Sequence, residues 1–116
     1  MIPTVHFLSG NTPAVLDKYR AKFIVVEREG EHFLFADDTA QWHSDVFQSF
    51  CKHVRTHGVD VPEKHYFPQS GGKIEIMDGR IRAYGESQGY GRFAIEQVHA
   101  LLEPFAKERE LSLVVE

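Results

Sequence analysis

The chain has 116 residues, enough for one domain and short of two. Hydrophobic residues make up 42% and charged residues 26%, the balance of an ordinary globular protein. The formal net charge of −4 excludes a broad basic footprint for nucleic acid or an anionic membrane, so any anion site has to be assembled locally against the overall charge.

Ile2 to Leu8 predicts a short first strand, and Gly10, Asn11 and Pro13 then break the chain. Nothing in MIPTVHFLSG joins a basic stretch to an apolar run, so no secretory signal is expected. Ala14 to Ala21 reads as a turn of helix or a loop. Lys22 to Arg28 (KFIVVER) is β-branched and aromatic, and predicts a hairpin with His32 to Ala36 across a polar turn at Gly30. Asp37, Asp38 and Thr39 offer N-capping side chains. The pattern then turns helical. His43, Val46, Phe47, Phe50, Cys51 and Val54 form one stripe on a helix ending at Gly58.

Lys64 to Pro68 is a weak strand and Gly71-Gly72 a flexible break. Lys73 to Met77 and Arg80 to Tyr84 flank Asp78-Gly79, a strong hairpin signal. Gly85 to Gly91 is loop-like. A second helix is predicted from about Arg92 to Arg109, with apolar positions at Phe93, Ile95, Val98, Leu101, Leu102 and Phe105 and with Pro104 late in it. Leu111 to Val115 closes the chain as a strand. The sum predicts an α/β fold: a single-domain sandwich in which a mixed, largely antiparallel sheet carries two amphipathic helices. No apolar window approaches bilayer-spanning length, and the lone Cys51 suits a reducing compartment. The expectation is a cytoplasmic monomer.

Two segments carry candidate chemistry. Trp42-His43-Ser44-Asp45 stands where a helix begins, and first-turn amides lack internal partners and favour an anion. The same field biases His43 towards neutral imidazole, a base or nucleophile. The pattern by itself favours a plainer reading, a buried histidine continuing the apolar stripe. In Tyr84 to Gly91, YGESQGYG, glycines lie between a strand and a helix, where amides can turn towards one anion and Ser87 can add a hydroxyl. The segment lacks the GK[ST] ending of a P-loop and the GxGxxG spacing of a dinucleotide fold. Ordinary turn chemistry explains it equally well. His53 and His57, four apart, read as a solvated helix face and not as a metal pair. Cys51 reads as core packing, and it lacks the C-x5-R setting of a cysteine phosphatase. Phe33, Phe35, Tyr66 and Phe67 read as sheet core and not as a nucleic-acid platform.

In order, Ile-Pro-x-Val, Lys-Phe-Ile-Val, Trp-His-Ser-Asp-Val, Gly-Gly-Lys-Ile and Tyr-Gly-x-Ser-x-x-Tyr-Gly resemble the Janus/Ocnus family, over Ile2 to about Leu102. Characterised members of that family are protein histidine phosphatases. The resemblance implies that His43 is the catalytic residue, and that Ser87 and the Gly89 amide hold phosphate beside Ser44. It also implies that Lys22 and Lys73 supply positive charge. No cofactor and no metal are implied, and the partner is a phosphohistidine-containing protein or a small phosphoramidate. The chain departs from the family pattern at Phe33-Leu34-Phe35-Ala36, which lacks a strand arginine, and at Phe93-Ala94-Ile95, which lacks a helix histidine. It also carries Glu86 inside the loop. The expected function is hydrolysis of phosphohistidine, with His43 as nucleophile or general base. A non-catalytic phosphate- or phosphoprotein-binding module of the same fold is the alternative, and an interaction domain with a decayed site is a second one.

Overall fold

The computed structural model describes residues 3–10, 12–13 and 18–116. The chain runs β1 (Val5–Ser9), β2 (Thr12–Pro13), β3 (Lys18–Arg28), β4 (Glu31–Asp37), α1 (His43–Arg55), a 3-10 turn (Pro62–Lys64), β5 (Phe67–Met77), β6 (Arg80–Tyr84), α2 (Ile95–Glu108) and β7 (Ser112–Val115). One seven-stranded sheet has the order β2-β1-β4-β3-β5-β6-β7. It is mixed, with β1/β4 and β6/β7 parallel and the other pairs antiparallel.

The long central strand β3 is apolar on both sides because both faces of the sheet are covered. Phe23 and Val25 join one core, with Leu34, Ile74, Ile76, Ile81, Phe93, Val98 and Leu102 under α2. Ile24 and Val26 join the other, with Phe33, Phe35, Val46, Phe50, Cys51 and Val54 under α1. The architecture is therefore an α/β three-layer sandwich with one helix on each face. Each fully buried Phe, Ile or Leu contributes roughly 1.5–3 kcal/mol. No helix among the described residues is long and apolar enough to cross a membrane.

Both hairpins form as the sequence predicts, β3/β4 around Gly30 and β5/β6 around Asp78-Gly79. Other boundaries differ. Ala14 to Asp17 lies outside the described residues, as do Ile2 and Asn11, while Lys18 to Ala21 is strand, extending β3 towards its N-terminus. Lys64 ends the 3-10 turn, and β5 starts at Phe67. Arg92 bridges to Gly71 in parallel, which delays α2 to Ile95 and leaves Ile95 exposed. Phe93 precedes the helix and is buried against Phe23, with ring centroids 5.3 Å apart.

The capping expectation also changes. Trp42 is the N-cap of α1. Buried Asp37 instead accepts hydrogen bonds from Thr39 N at 2.9 Å, Thr39 Oγ1 at 2.7 Å and Ser49 Oγ at 2.6 Å, tying β4 to the middle of the helix. Asp38 accepts from Ser9 Oγ at 2.6 Å and from Gly10 N at 3.2 Å.

The largest correction concerns Gly71-Gly72. The pair is not a break. It lies inside β5, opposite Ile24 and Phe23. A Cβ on Gly71 would meet His43 Cδ2 at 2.7 Å and Phe23 O at 2.8 Å, and one on Gly72 would meet Tyr84 O at 2.7 Å and Phe93 Cε1 at 2.8 Å. Glycine in a strand interior often marks such close approach.

Candidate active site

His43 is the first residue of α1, and its ring lies against the bare backbone of Gly71. Its Nε2 is 2.9 Å from the carbonyl oxygen of Gly72. A carbonyl only accepts, so Nε2 carries the hydrogen and a neutral ring keeps its lone pair on Nδ1. Burial pushes the His43 pKa below its usual value. The Gly72 bond opposes that shift, and the positive charges of Lys22 and Lys73 add to it. The neutral bias read from the helix start is thus present, with burial as its leading cause.

Strand pairing supplies the positive charge. Lys22 on β3 lies directly opposite Lys73 on β5. Like charges facing each other across a ladder are destabilising. Asp37, the neighbour of Lys22 on the β4 side, is engaged with Thr39 and Ser49. Neither lysine is in an ion pair among the described residues.

The loop after β6 closes on itself. Ser87 N donates to Gly91 O at 3.2 Å and Gly91 N to Ser87 O at 2.8 Å, while Ser87 Oγ accepts from Tyr90 N at 3.0 Å. Gly91, at φ 90°, adopts a backbone conformation that side chains disfavour. Ser87 is buried and its Cβ lies near Gly71, so the loop is seated on β5 beside His43. Among the described residues the amides of Gln88 and Gly89 have no protein acceptor, and neither do those of His43 and Ser44 in the first turn of α1. A Cβ on Gly89 would meet nothing within 4 Å.

These parts share one cavity of about 490 Å³, lined by Lys22, Trp42, His43, Ser44, Lys73, Glu86, Ser87, Gln88, Gly89 and Tyr90. Every residue named from the sequence for catalysis or phosphate binding is in that lining. Gly71 and Gly72 as the seat of the imidazole were not foreseen from the sequence; Trp42, Gln88 and Tyr90, which fell inside the two candidate segments without a role of their own, are also in the wall. A glycine pair inside an otherwise alternating strand was the available signal for the seat.

A sequence profile of the Janus/Ocnus family matches residues 2–109. The chain belongs to the Janus/Ocnus family. No curated protein matches it. The family match spans both His43 and the Ser87 loop, which strand pairing brings to one cavity in this Janus/Ocnus member.

The remaining candidates separate from this site. Cys51 is buried under α1, its thiol pushed up to about 11 by burial first and by Glu63 second, so it is core and not a nucleophile. His53 needs correction. It is not on a solvated face but half-buried, stacked 4.3 Å from His6 of β1, with His57 4.8 Å away. Stacked imidazoles present faces to each other while their lone pairs lie in the ring planes, which suits no shared ion. Among the described residues no group of His, Cys, Asp and Glu could hold a metal ion.

Proposed function

We propose that this Janus/Ocnus protein is a phosphohydrolase that removes the phosphoryl group from phosphohistidine, and from related phosphoramidates, without a metal. The observation that carries the reading is the cavity itself. It joins an imidazole with its lone pair on Nδ1 to two unneutralised lysines and to unpaired amides from a helix start and a loop.

In this reading the non-bridging phosphoryl oxygens rest on the amides of His43, Ser44, Gln88 and Gly89. Lys22 and Lys73 offset the charge they bring. Ser87 Oγ already accepts from Tyr90 N, so its hydroxyl hydrogen is left to donate. His43 Nδ1 either forms the new bond to phosphorus or takes a proton from water that does so. In both routes the P–N electron pair stays on the departing nitrogen. In the first route, water later attacks the phosphoryl-His43 bond and restores the neutral ring. The Nε2–H bond to Gly72 stabilises the positive charge that Nδ1 acquires, as the orienting partner of a catalytic imidazole does.

The test is release of phosphate from a histidine-phosphorylated peptide by wild type and His43→Ala, each with a chelator present. Wild type turns over with the chelator, and the variant loses at least about 100-fold in kcat/KM. Equal rates would remove His43 from the mechanism. Tight phosphate binding without turnover would instead identify a binding module built on the same cavity.

A further inference from the structure

The sheet face that carries His43 is only half covered. There α1 rests on β3 and β4 and reaches β5 through His43, while α2 packs on the opposite face. The half made by β5, β6 and the first residues of β3 has no helix on it among the described residues. Strand pairing arranges its side chains in three rows that cross the strands. The first, Lys22-Lys73-Tyr84, contributes both lysines to the cavity wall. The second is Arg20-Glu75-Arg82 and the third Lys18-Met77-Arg80. Directly paired residues share a face, and Lys73 stands two residues from Gly71, so all three rows lie on the His43 side. Lys18, Arg20, Lys73 and Arg80 are exposed, and Lys22 and Arg82 half-buried. This basic strip belongs to a chain in which 17 acidic residues outnumber 13 basic ones.

The rows differ in how much of their charge is neutralised. In the middle row Arg20 donates to Glu75 Oε2 through Nε at 3.1 Å and Nη2 at 2.8 Å. Arg82 is paired with Glu116 and stacks over the Tyr84 ring, 4.3 Å from its centre. Among the described residues Lys18 and Arg80 make no ion pair, and neither do Lys22 and Lys73. Two pairs of free cations thus flank a neutralised row, four residues apart along β3 and so roughly 13 Å from each other.

We infer that this uncovered half-face docks an extended acidic segment of the protein substrate, with a carboxylate four residues from the phosphorylated one held by Lys18 and Arg80. The inference rests on the phosphohydrolase reading for the place of the phosphoryl group, and on strand register for the second anchor. A peptide extended along β5 advances by about the same 3.3 Å per residue as the strand beneath it, and side chains four apart point the same way. A phosphoryl group at Lys22 and Lys73 therefore brings the fourth side chain to Lys18 and Arg80. The side chain between them meets the neutralised row, where charge gains little. A nucleic-acid strand carries a phosphate about every 3.4 Å and would set several on that row. An anionic bilayer would spread beyond the strip onto the acidic remainder of the surface. A short acidic peptide does neither.

The experiment uses the full chain and labelled peptides that carry one phosphohistidine, with Glu, Gln or Lys at the fourth position on both sides of it. Binding is read by anisotropy in a His43→Ala background, which prevents turnover during the titration, and KM and kcat are read with His43 present. The Glu peptide binds about 5-fold more tightly than the Gln peptide, its KM is lower by a similar factor with kcat unchanged, and 0.5 M salt removes most of the difference. Lys18→Glu with Arg80→Glu, neither in the cavity wall, turns the preference towards the Lys peptide and leaves hydrolysis of inorganic phosphoramidate unchanged. If that double variant melts early, Lys18→Gln with Arg80→Gln serves instead and abolishes the preference for Glu. Equal affinity for the Glu and Gln peptides, or a preference for Glu that survives these substitutions, overturns the docking face. So does tighter binding of a single-stranded oligonucleotide or of phosphatidylserine vesicles than of the Glu peptide. If the Glu preference is present and no P–N bond is hydrolysed, the docking face stands and the phosphohydrolase reading falls.

Discussion

At the scale of single residues, Gly71 and Gly89 make opposite demands. Gly71 is glycine because the His43 ring and the Phe23 carbonyl occupy the space of a side chain. Gly71→Ala should therefore cost about 1–3 kcal/mol of stability and displace the His43 ring, so that Tm falls and, under the proposed function, phosphohistidine turnover falls with it. Gly89 has no such neighbour. Gly89→Ala should leave Tm within about 1 °C, since its Cβ meets open space; under the proposed function it weakens phosphate binding through the methyl it adds to the cavity, because alanine keeps the amide N–H. Thermal melts with and without phosphate separate the two. A Gly89→Ala protein that melts early would show that the loop itself needs the glycine.

At the scale of elements, the β3/β5 ladder holds a conflict. Lys22 and Lys73 face each other where an apolar or oppositely charged pair would be more stable. Lys73→Gln should raise Tm by about 2 °C in phosphate-free buffer and reduce the rise in Tm that phosphate gives wild type. A lower Tm without phosphate would mean that the lysine supports the sheet and not an anion. The same ladder explains what was legible in the sequence. Strands with an alternating or β-branched pattern and the Asp78-Gly79 turn were readable, because local chemistry dictates them. The six-residue stripe of α1 was readable through its period, and its five apolar members pack where the stripe places them. Gly71-Gly72 was not, because what makes glycine necessary there is His43 on one face and Phe93 on the other, both far away in sequence. The site residues were legible as separate motifs. Their convergence was not, since it depends on β3 pairing with β5 and on the Ser87 loop folding back over β5.

At the scale of the whole molecule, the two cores differ in their response to acid. On the α1 face, burial lowers the His53 pKa to about 4, and the neighbouring His6 and His57 add to the shift. The unfolded chain takes up this proton near the ordinary value of 6.5, and the folded chain takes it up only near 4. Between those values the unfolded state binds more protons. Stability from this residue is therefore complete above pH 6.5, falls as pH drops, and is gone below about pH 4. With allowance for partial exposure the loss is on the order of 1 kcal/mol. Chemical denaturation from pH 7 to pH 4 should show this loss in wild type and a flatter profile in His53→Gln. Equal slopes would assign the acid sensitivity to other groups. The α2 core is built from apolar side chains and the buried Tyr19, and it contributes no comparable slope.

At Gly71-Gly72 the protein is one peptide thick between its two helical layers. The imidazole bears on one side of that peptide and the Phe93 ring on the other, and the carbonyl that fixes the tautomer of His43 belongs to the residue Phe93 touches. The proton affinity of the His43 ring is thus set partly through a single backbone oxygen, that of the residue against which Phe93 packs. Phe93 itself is not in the cavity wall. Under the proposed function, a change at Phe93 would reach the His43 ring without altering the cavity lining.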